Sequence, residues 1–513
     1  MEDHLQTASE AMAAADAQSP EEERFNRVRA TAGLVVGPLA FALLLWMPMT
    51  GLAPQAHRMA AVLALVVIFW VTEALPISVT AMLGPVLAVV IGVAPARQAL
   101  SPFADPIIFL FIGSFMLAQA MFVHGVDRRI AYTALSMRMV GTSAFRILLV
   151  YAGVCTAISM WISNTATTAM MFPIGLSIIA HLKRTAVHHQ AQVRKFALAM
   201  MLLTSFGASV GGMGTPVGTP PNLIGIGMLE KYVGIKISFF QWMSIGVPLV
   251  LVLFAYMLFQ FYWTSVRGLP VAEGSTELVH HELRRLGPTT VGQRNVLIAF
   301  GVTVVLWVTP GLFAILGVEQ SSMARTYAAV MPEGVAAMVG AFLLFLLPTS
   351  WKARQFTLTW DDASKIDWGI VMLYGGGLAL GDLAFNTGLA TAMGQAVTSW
   401  LPSHSTLALT ILFTGSAILL SEAASNTASA NMIVPIAIAV AQAAGVRPIE
   451  PVLGATLGAS MGFMMPISTA PNAIVYSSGY IPITQMMRFG IMLDVVAFVT
   501  IVILVMTLGP MLF

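Results

Sequence analysis

Charge is scarce in this chain of 513 residues. Asp, Glu, Lys and Arg together make 9% of it, against about 25% in a typical soluble protein, while hydrophobic residues make 58%. With a mean hydropathy of +0.84, that balance excludes a single water-facing domain. A formal net charge of +2 is too small to hold a polyanion, which argues against a nucleic-acid partner. The single cysteine, Cys155, excludes an intramolecular disulfide framework and any Cys-based metal site; in its apolar run it reads as a small packing residue. The first 30 residues lack an early apolar core and carry Glu21, Glu22 and Glu23 before Arg24, Arg27 and Arg29. They read as a disordered polar tail rather than a signal peptide.

What the chain has instead is long apolar runs, and about 18 apolar residues in a row read as a membrane-spanning helix. Such runs lie near Ala32–Met49, Arg58–Leu75, Ser78–Ala94, Pro106–Val123, Phe239–Trp263, Val296–Leu316, Gly334–Leu347, Trp368–Met393 and Arg488–Leu512. Others begin at Phe145, Phe196, Leu407 and Val452. Residues 31–56 read as a first spanning helix. Residues 57–266 and 295–513 read as two halves, joined by a polar linker at 267–294.

The halves are copies. SMWISNTATTAMMFPI (Ser159–Ile174) aligns with SEAASNTASANMIVPI (Ser421–Ile436) at an offset of 262 (421 − 159). Upstream, Gly113, Leu117, Phe122 and Gly125 match Gly376, Leu380, Phe385 and Gly388. Downstream, Gly207-Ala208-Ser209 matches Gly458-Ala459-Ser460, and Thr219-Pro220-Pro221-Asn222 matches Thr469-Ala470-Pro471-Asn472. Blocks recurring in one order at nearly constant spacing identify an internal duplication.

The two Ser-Asn-Thr segments are too long for single spans. Each holds about 35 mostly apolar residues, and a straight helix of that length would reach ~53 Å across a ~30 Å hydrocarbon core. Re-entrant hairpins with Ser-Asn-Thr at the tip fit better, and irregular backbone at that depth requires a surround of protein or a water-filled cavity. Gly207–Pro221 and Gly458–Pro471 read as helices broken within the membrane. The expected fold is therefore an all-α polytopic membrane protein of about 11 spans plus two hairpins. A cytoplasmic N-terminus puts all but six of the 25 Lys and Arg residues inside, the six being Arg58, Arg97, Lys231, Lys236, Arg325 and Arg447, as the positive-inside rule asks. Each half then has an odd number of spans, so the repeats are inverted.

Inverted repeats with interrupted helices place a substrate and ion site near the midplane. Helix N-termini and freed N–H groups favour an anion there, and Ser, Thr and Asn oxygens can also ligate a hard cation. No Lys or Arg occurs between Ile147 and Ala180, Phe206 and Leu229, Leu407 and Val446, or Pro451 and Met487. A dianion held by these segments meets no protein counter-charge, so co-bound cations must supply it. Two motif copies suggest two cation sites flanking one anion site.

Other motifs compete with this reading. Gly207–Gly211 and Gly458–Gly462 both satisfy G-x-S-x-G, which makes a membrane-embedded hydrolase on Ser209 or Ser460 the rival. A nucleophile elbow needs a strand-to-helix turn and a His partner, and neither is in view. His280-His281-Glu282 lacks the H-E-x-x-H spacing of a zinc helix. Glu73, Glu422 and Asp382 lie in or beside apolar segments, where a central charge costs at least ~2.5 kcal/mol. Glu422, next to Ser421, is either an ion relay or an acid bracing the hairpin.

Together, VTEALPISVTAMLGPV (Val71–Val86), both Ser-Asn-Thr motifs, GGMGTPVGTPPNLIG (Gly211–Gly225), IDWGIVMLYGGGLALGDL (Ile366–Leu383) and MPISTAPNAIVY (Met465–Tyr476) resemble the divalent anion:sodium symporter family, solute carrier family 13. The resemblance runs from about Ala32 to Phe513. It implies a homodimer in the inner (plasma) membrane, working by an elevator-type mechanism, that carries succinate, malate, fumarate, citrate or sulfate with several sodium ions. It places one sodium with Ser159, Ser163, Asn164 and the backbone at Gly212, and a second with Ser421, Ser425, Asn426 and the backbone at Ser468. The anion would meet Ser163, Asn164, Thr165 and Thr215 on one side, and Ser425, Asn426, Thr427 and Ala470 on the other. Carboxylate-carrying members often have Thr-Pro-Pro-Asn in the second broken helix, where this chain has Thr469-Ala470-Pro471-Asn472, so the preferred acid stays open. Exchangers of the family tend to depart from the second Ser-Asn-Thr, intact here, which favours symport of C4-dicarboxylates.

Overall fold

Helix α1 (Pro20–Trp46) opens a computed structural model that describes residues 20–49, 51–137, 140, 143–185, 187–267, 275–318, 320–401 and 403–513. After it come α2 (Pro54–Thr72), α3 (Ile77–Val90) and α4 (Pro106–His124). The first Ser-Asn-Thr segment is two helices, α5 (Ala144–Ser159) and α6 (Asn164–Thr185), and the first broken helix is α7 (Gln190–Gly212) and α8 (Pro220–Val233). Then follow α9 (Phe239–Phe261), α10 (Val291–Ile315), α11 (Ser322–Val330), α12 (Glu333–Leu346) and α13 (Trp368–Asn386). The second hairpin is α14 (Thr406–Ala423) and α15 (Asn426–Ala443), the second broken helix α16 (Ile449–Gly458) and α17 (Ala470–Tyr476), and α18 (Ile483–Leu512) ends the chain. Among the described residues the only sheet is a two-stranded ribbon, Pro348–Ser350 with Gln355–Phe356.

Ten of the described helices are long and apolar enough to cross a membrane, or eleven if α11 and α12, which meet at 64°, form one span. Tyr151 shows that the first Ser-Asn-Thr segment doubles back. Its hydroxyl donates to the Met171 carbonyl at 2.8 Å, whereas a continuous helix would hold these residues ~30 Å apart. The arms α14 and α15 likewise pack along one another. With each hairpin turning back and each broken helix counted as one passage, the passages are α1, α2, α3, α4, α7–α8, α9, α10, α11–α12, α13, α16–α17 and α18.

Local chemistry sets the ends. Asp105 caps α4 by accepting from Ile107 N at 3.0 Å, Pro106 takes the first turn, and Gly125 closes the helix at φ 62°. Residues 20–30, expected in a tail, are helical and continuous with the first span; residues 1–19 of that tail lie outside the described residues. The linker holds a helix at Ser275–Arg285, while 268–274 lie outside the described residues. The two broken helices cross at the centre of the main core, where Phe206 meets Phe463 edge-on at 5.1 Å.

Candidate substrate and ion site

The two hairpin tips have the same internal bond. Ser159 Oγ donates to Asn164 Oδ1 at 2.8 Å, and Ser421 Oγ to Asn426 Oδ1 at 2.8 Å. Both serines are fully buried, so these bonds fix each Asn amide from below. Ser421 Oγ also lies 2.8 Å from the Ala459 carbonyl, so its one proton is shared between the two acceptors and ties the second tip to its broken helix.

Each broken helix is held open by an asparagine that the sequence reading had not placed in the site. Asn222 Nδ2 donates to the carbonyls of Gly212 (3.0 Å) and Thr215 (2.7 Å); Asn472 Nδ2 donates to those of Gly462 (2.9 Å) and Met465 (2.9 Å). Carbonyls freed by unwinding are thus satisfied by a side chain. The signal was present, since both asparagines end the matched Thr-x-Pro-Asn blocks. This geometry pairs Gly212 with Gly462, an offset of 250 (462 − 212), and by the same offset Gly218 with Ser468. The serines Ser209 and Ser460 are 251 apart, so one residue is dropped between them and the loops, where α7 runs on to Gly212 but α16 ends at Gly458.

A cavity of about 830 Å³ lies between the tips and loops. Ser163, Asn164, Thr165, Ser425, Asn426, Thr427, Ser468 and Ala470 line it, as do Gly218, Thr219 and Pro220. Of the sequence-derived candidates, Ser159 and Ser421 stand beneath the lining as braces, and Gly212 and Thr215 are buried behind it. Thr215 Oγ1 donates to the Met160 carbonyl, and the Gly212 backbone packs against the Asn164 amide. The first-repeat residue in the position of Ser468 is therefore Gly218, while Gly212 corresponds to Gly462.

The starts of α6, α8, α15 and α17, at Asn164, Pro220, Asn426 and Ala470, all lie on the cavity wall. The positive ends of these helices lie there, an arrangement that attracts negative charge. Its charged lining is Glu73, Asp127, Lys365 and Asp367. Glu73 closes α2 in the left-handed region at φ 50° and pairs with Arg29 at 2.9 Å. Lys365 pairs with Asp362 at 3.1 Å. Burial pushes the Asp127 carboxyl up to about 6, partly opposed by the backbone N–H and charge of Arg128.

Glu422 braces the second tip. Its Oε1 accepts from the N–H groups of Phe463 (2.6 Å) and Met464 (2.9 Å), and its Oε2 from Ser468 Oγ (2.7 Å). Asp382 sits away from the cavity, where Lys231 pairs with it and the Tyr232 hydroxyl donates to it at 2.8 Å. Ser209 stands within α7 and Ser460 in the turn just after α16, with no strand leading into either.

Paired hairpins, paired broken helices and one cavity define the protein as a multi-pass membrane transporter. Comparison with known proteins gives the family. The family described as "Sodium:sulfate symporter transmembrane region" matches residues 30–513. The sodium-dependent dicarboxylate transporter SdcS of Staphylococcus saprophyticus is 33% identical over 499 residues, covering 96% of this chain and 93% of its own. SdcS of Staphylococcus aureus strain USA300 is 33% identical over 483 residues, covering 93% and 91%. The crystal structure of the Alcanivorax borkumensis YdaH transporter superposes with a TM-score of 0.54 at 12% identity, over 94% of this chain and 97% of that one, which shows a shared fold. The chain belongs to the sodium:sulfate symporter family, the divalent anion:sodium symporters that its motifs resemble. It is a transporter of the plasma membrane and not an enzyme.

Proposed function

We propose that this protein imports C4-dicarboxylates such as succinate, malate or fumarate together with sodium ions. The observation that carries the reading is the matched pair of hairpin tips, each with its Asn amide fixed by a buried Ser, facing one cavity onto which four helix N-termini open. The N-termini favour the carboxylates. The hairpins and loops add no basic side chain, so sodium ions at Ser163 and Asn164, and at Ser425, Asn426 and Ser468, complete the counter-charge. The curated relatives are named for sodium-dependent dicarboxylate transport, which supports both cargo assignments.

Sidedness supports the inverted repeat. Arg29 with Glu73, Lys183 with Tyr480, and Arg129 with Gln293 join residues that the basic-residue count puts inside. Lys231 with Asp382, and Lys236 with Glu333, join residues that it puts outside. Glu73, Lys365 and Asp367 on the cavity wall support a mouth on the cytoplasmic side. Alternating access would carry α5–α8 and α14–α17 across the membrane as an elevator, against a frame containing α12 and α13, within a homodimer.

Purified protein in liposomes tests the reading. Uptake of labelled succinate should require an inward sodium gradient and exceed equilibrium, with succinate competing better than sulfate or citrate. Uptake indifferent to sodium but driven by internal dicarboxylate would make it an exchanger. Uptake that never passes equilibrium would make it a channel.

A further inference from the structure

Buried hydroxyls in this protein fall into two groups. Many bond back to a carbonyl of the preceding turn, as Ser114 does to Leu110, Thr204 to Met200, Thr410 to Thr406 and Thr456 to Val452. A smaller group has no hydrogen-bond partner. It includes Thr167 and Ser209 in the first repeat and Ser429 and Ser460 in the second, each no more than 1% exposed. Leaving a buried hydroxyl unpaired is costly, so each of the four is expected to meet a group that comes and goes.

The repeat says how many such groups there are. Thr167 and Ser429 stand at the same spacing as the Ser-Asn-Thr motifs, one helical turn past Ser163 and Ser425. Ser209, in α7, and Ser460, in the turn that ends α16, are the matched serines of the two broken helices. The other unpartnered hydroxyls, on Thr80, Thr156, Thr168 and Thr414, have no hydroxyl at the corresponding position of the other repeat. Thr167 and Ser209 both line the cavity beside Asn164, whereas Ser429 and Ser460 lie behind its wall. One occupant of the cavity therefore reaches only the first pair, whereas two cations, one at each repeat, reach both.

We propose that Thr167 and Ser209 give hydroxyl oxygens to the sodium ion at the first hairpin, and Ser429 and Ser460 to the one at the second. This rests on the reading of sodium-coupled transport above. Hydroxyl oxygens are neutral lone-pair donors that suit a hard cation, and they enlarge each ligand set beyond the tip residues without adding charge. The first ion is then held at the cavity wall, open to solution in this state, and the second in a closed pocket.

The test is a sodium titration of thermal unfolding on the purified full-length protein without any anion, with choline chloride holding ionic strength constant. Thr167→Val, Ser209→Ala, Ser429→Ala and Ser460→Ala should each raise the sodium midpoint about three- to tenfold. In choline alone their unfolding temperature should equal or exceed that of the parent, because an unpaired hydroxyl has been removed. A purely structural role would lower stability in both salts. Thr167→Ser should restore the parental midpoint. If the four variants follow the parental sodium curve, the hydroxyls hold water and the proposal is overturned while sodium coupling stands. If the parent itself shows no sodium stabilisation, the coupling reading fails with it.

Discussion

Replacing Glu422 with alanine removes the acid that holds the second hairpin tip to its broken helix. The residue is 4% exposed, and three donors converge on it, two backbone N–H groups and the Ser468 hydroxyl. Alanine leaves both N–H groups buried without acceptors, at about 1–3 kcal/mol each, and deletes a charge-assisted bond of about 1.5–3 kcal/mol. Against this, the substitution removes a buried charge whose desolvation costs several kcal/mol. It also takes from the buried Asp494 carboxyl the hydrogen bond it shares with Glu422. The balance is a loss of about 2–4 kcal/mol. Glu422→Gln keeps an amide oxygen for the two N–H groups and turns its NH2 toward Ser468, so its loss should be near 1 kcal/mol. Thermal unfolding in detergent should therefore rank parent, Gln, then Ala, and both variants should need more sodium for dicarboxylate binding. An alanine variant as stable as the parent would refute the bracing role.

Other consequences follow from named contacts. A Cβ on Gly212 would collide with the Asn164 amide, whereas one on Gly462 would lie 3.1 Å from Asn426 Oδ1; Gly212→Ala should abolish uptake and Gly462→Ala only reduce it, in the same liposome assay. Asp127 has its carboxyl raised to about 6 from 3.8, so the folded state holds the proton more tightly and stability falls as pH rises between those values. Asp127→Asn should gain about 2–3 kcal/mol relative to the parent on going from pH 4 to pH 7.5, read from unfolding curves at both pH values. Lys231 and Asp382 join α8 to α13. With Cys155→Ala as background, cross-linking Lys231→Cys to Asp382→Cys should arrest transport until reduction, and full transport by the cross-linked protein would rule out movement of α8 against α13.

Much of the architecture was legible because it is written twice. The duplicated Ser-Asn-Thr blocks located both hairpins, and their excess length over a membrane's thickness exposed the turn that the Tyr151–Met171 bond shows. Polar scarcity located the cavity, since the few Ser, Thr and Asn residues in apolar runs had to converge somewhere. What could not be read depends on contacts between distant segments. Nothing local says that Asn222 and Asn472 hold the unwound loops, or that Lys365 and Glu73 reach the cavity wall. The one-residue drop between the repeats already shows in the sequence offsets of 251 (458 − 207) and 250 (469 − 219), and the paired carbonyls locate it between the serines and the unwound loops. For the helical 20–30 segment the sequence carries a signal, since Pro20 followed by three glutamates is a pattern that favours the start of a helix.

The central claim is that the anion is held by helix ends and needs sodium to complete its counter-charge. Calorimetric titration of succinate into the purified protein, in sodium chloride and then in choline chloride, measures this directly. The account predicts saturable binding in sodium and none in choline. Equal affinity in both salts would contradict it.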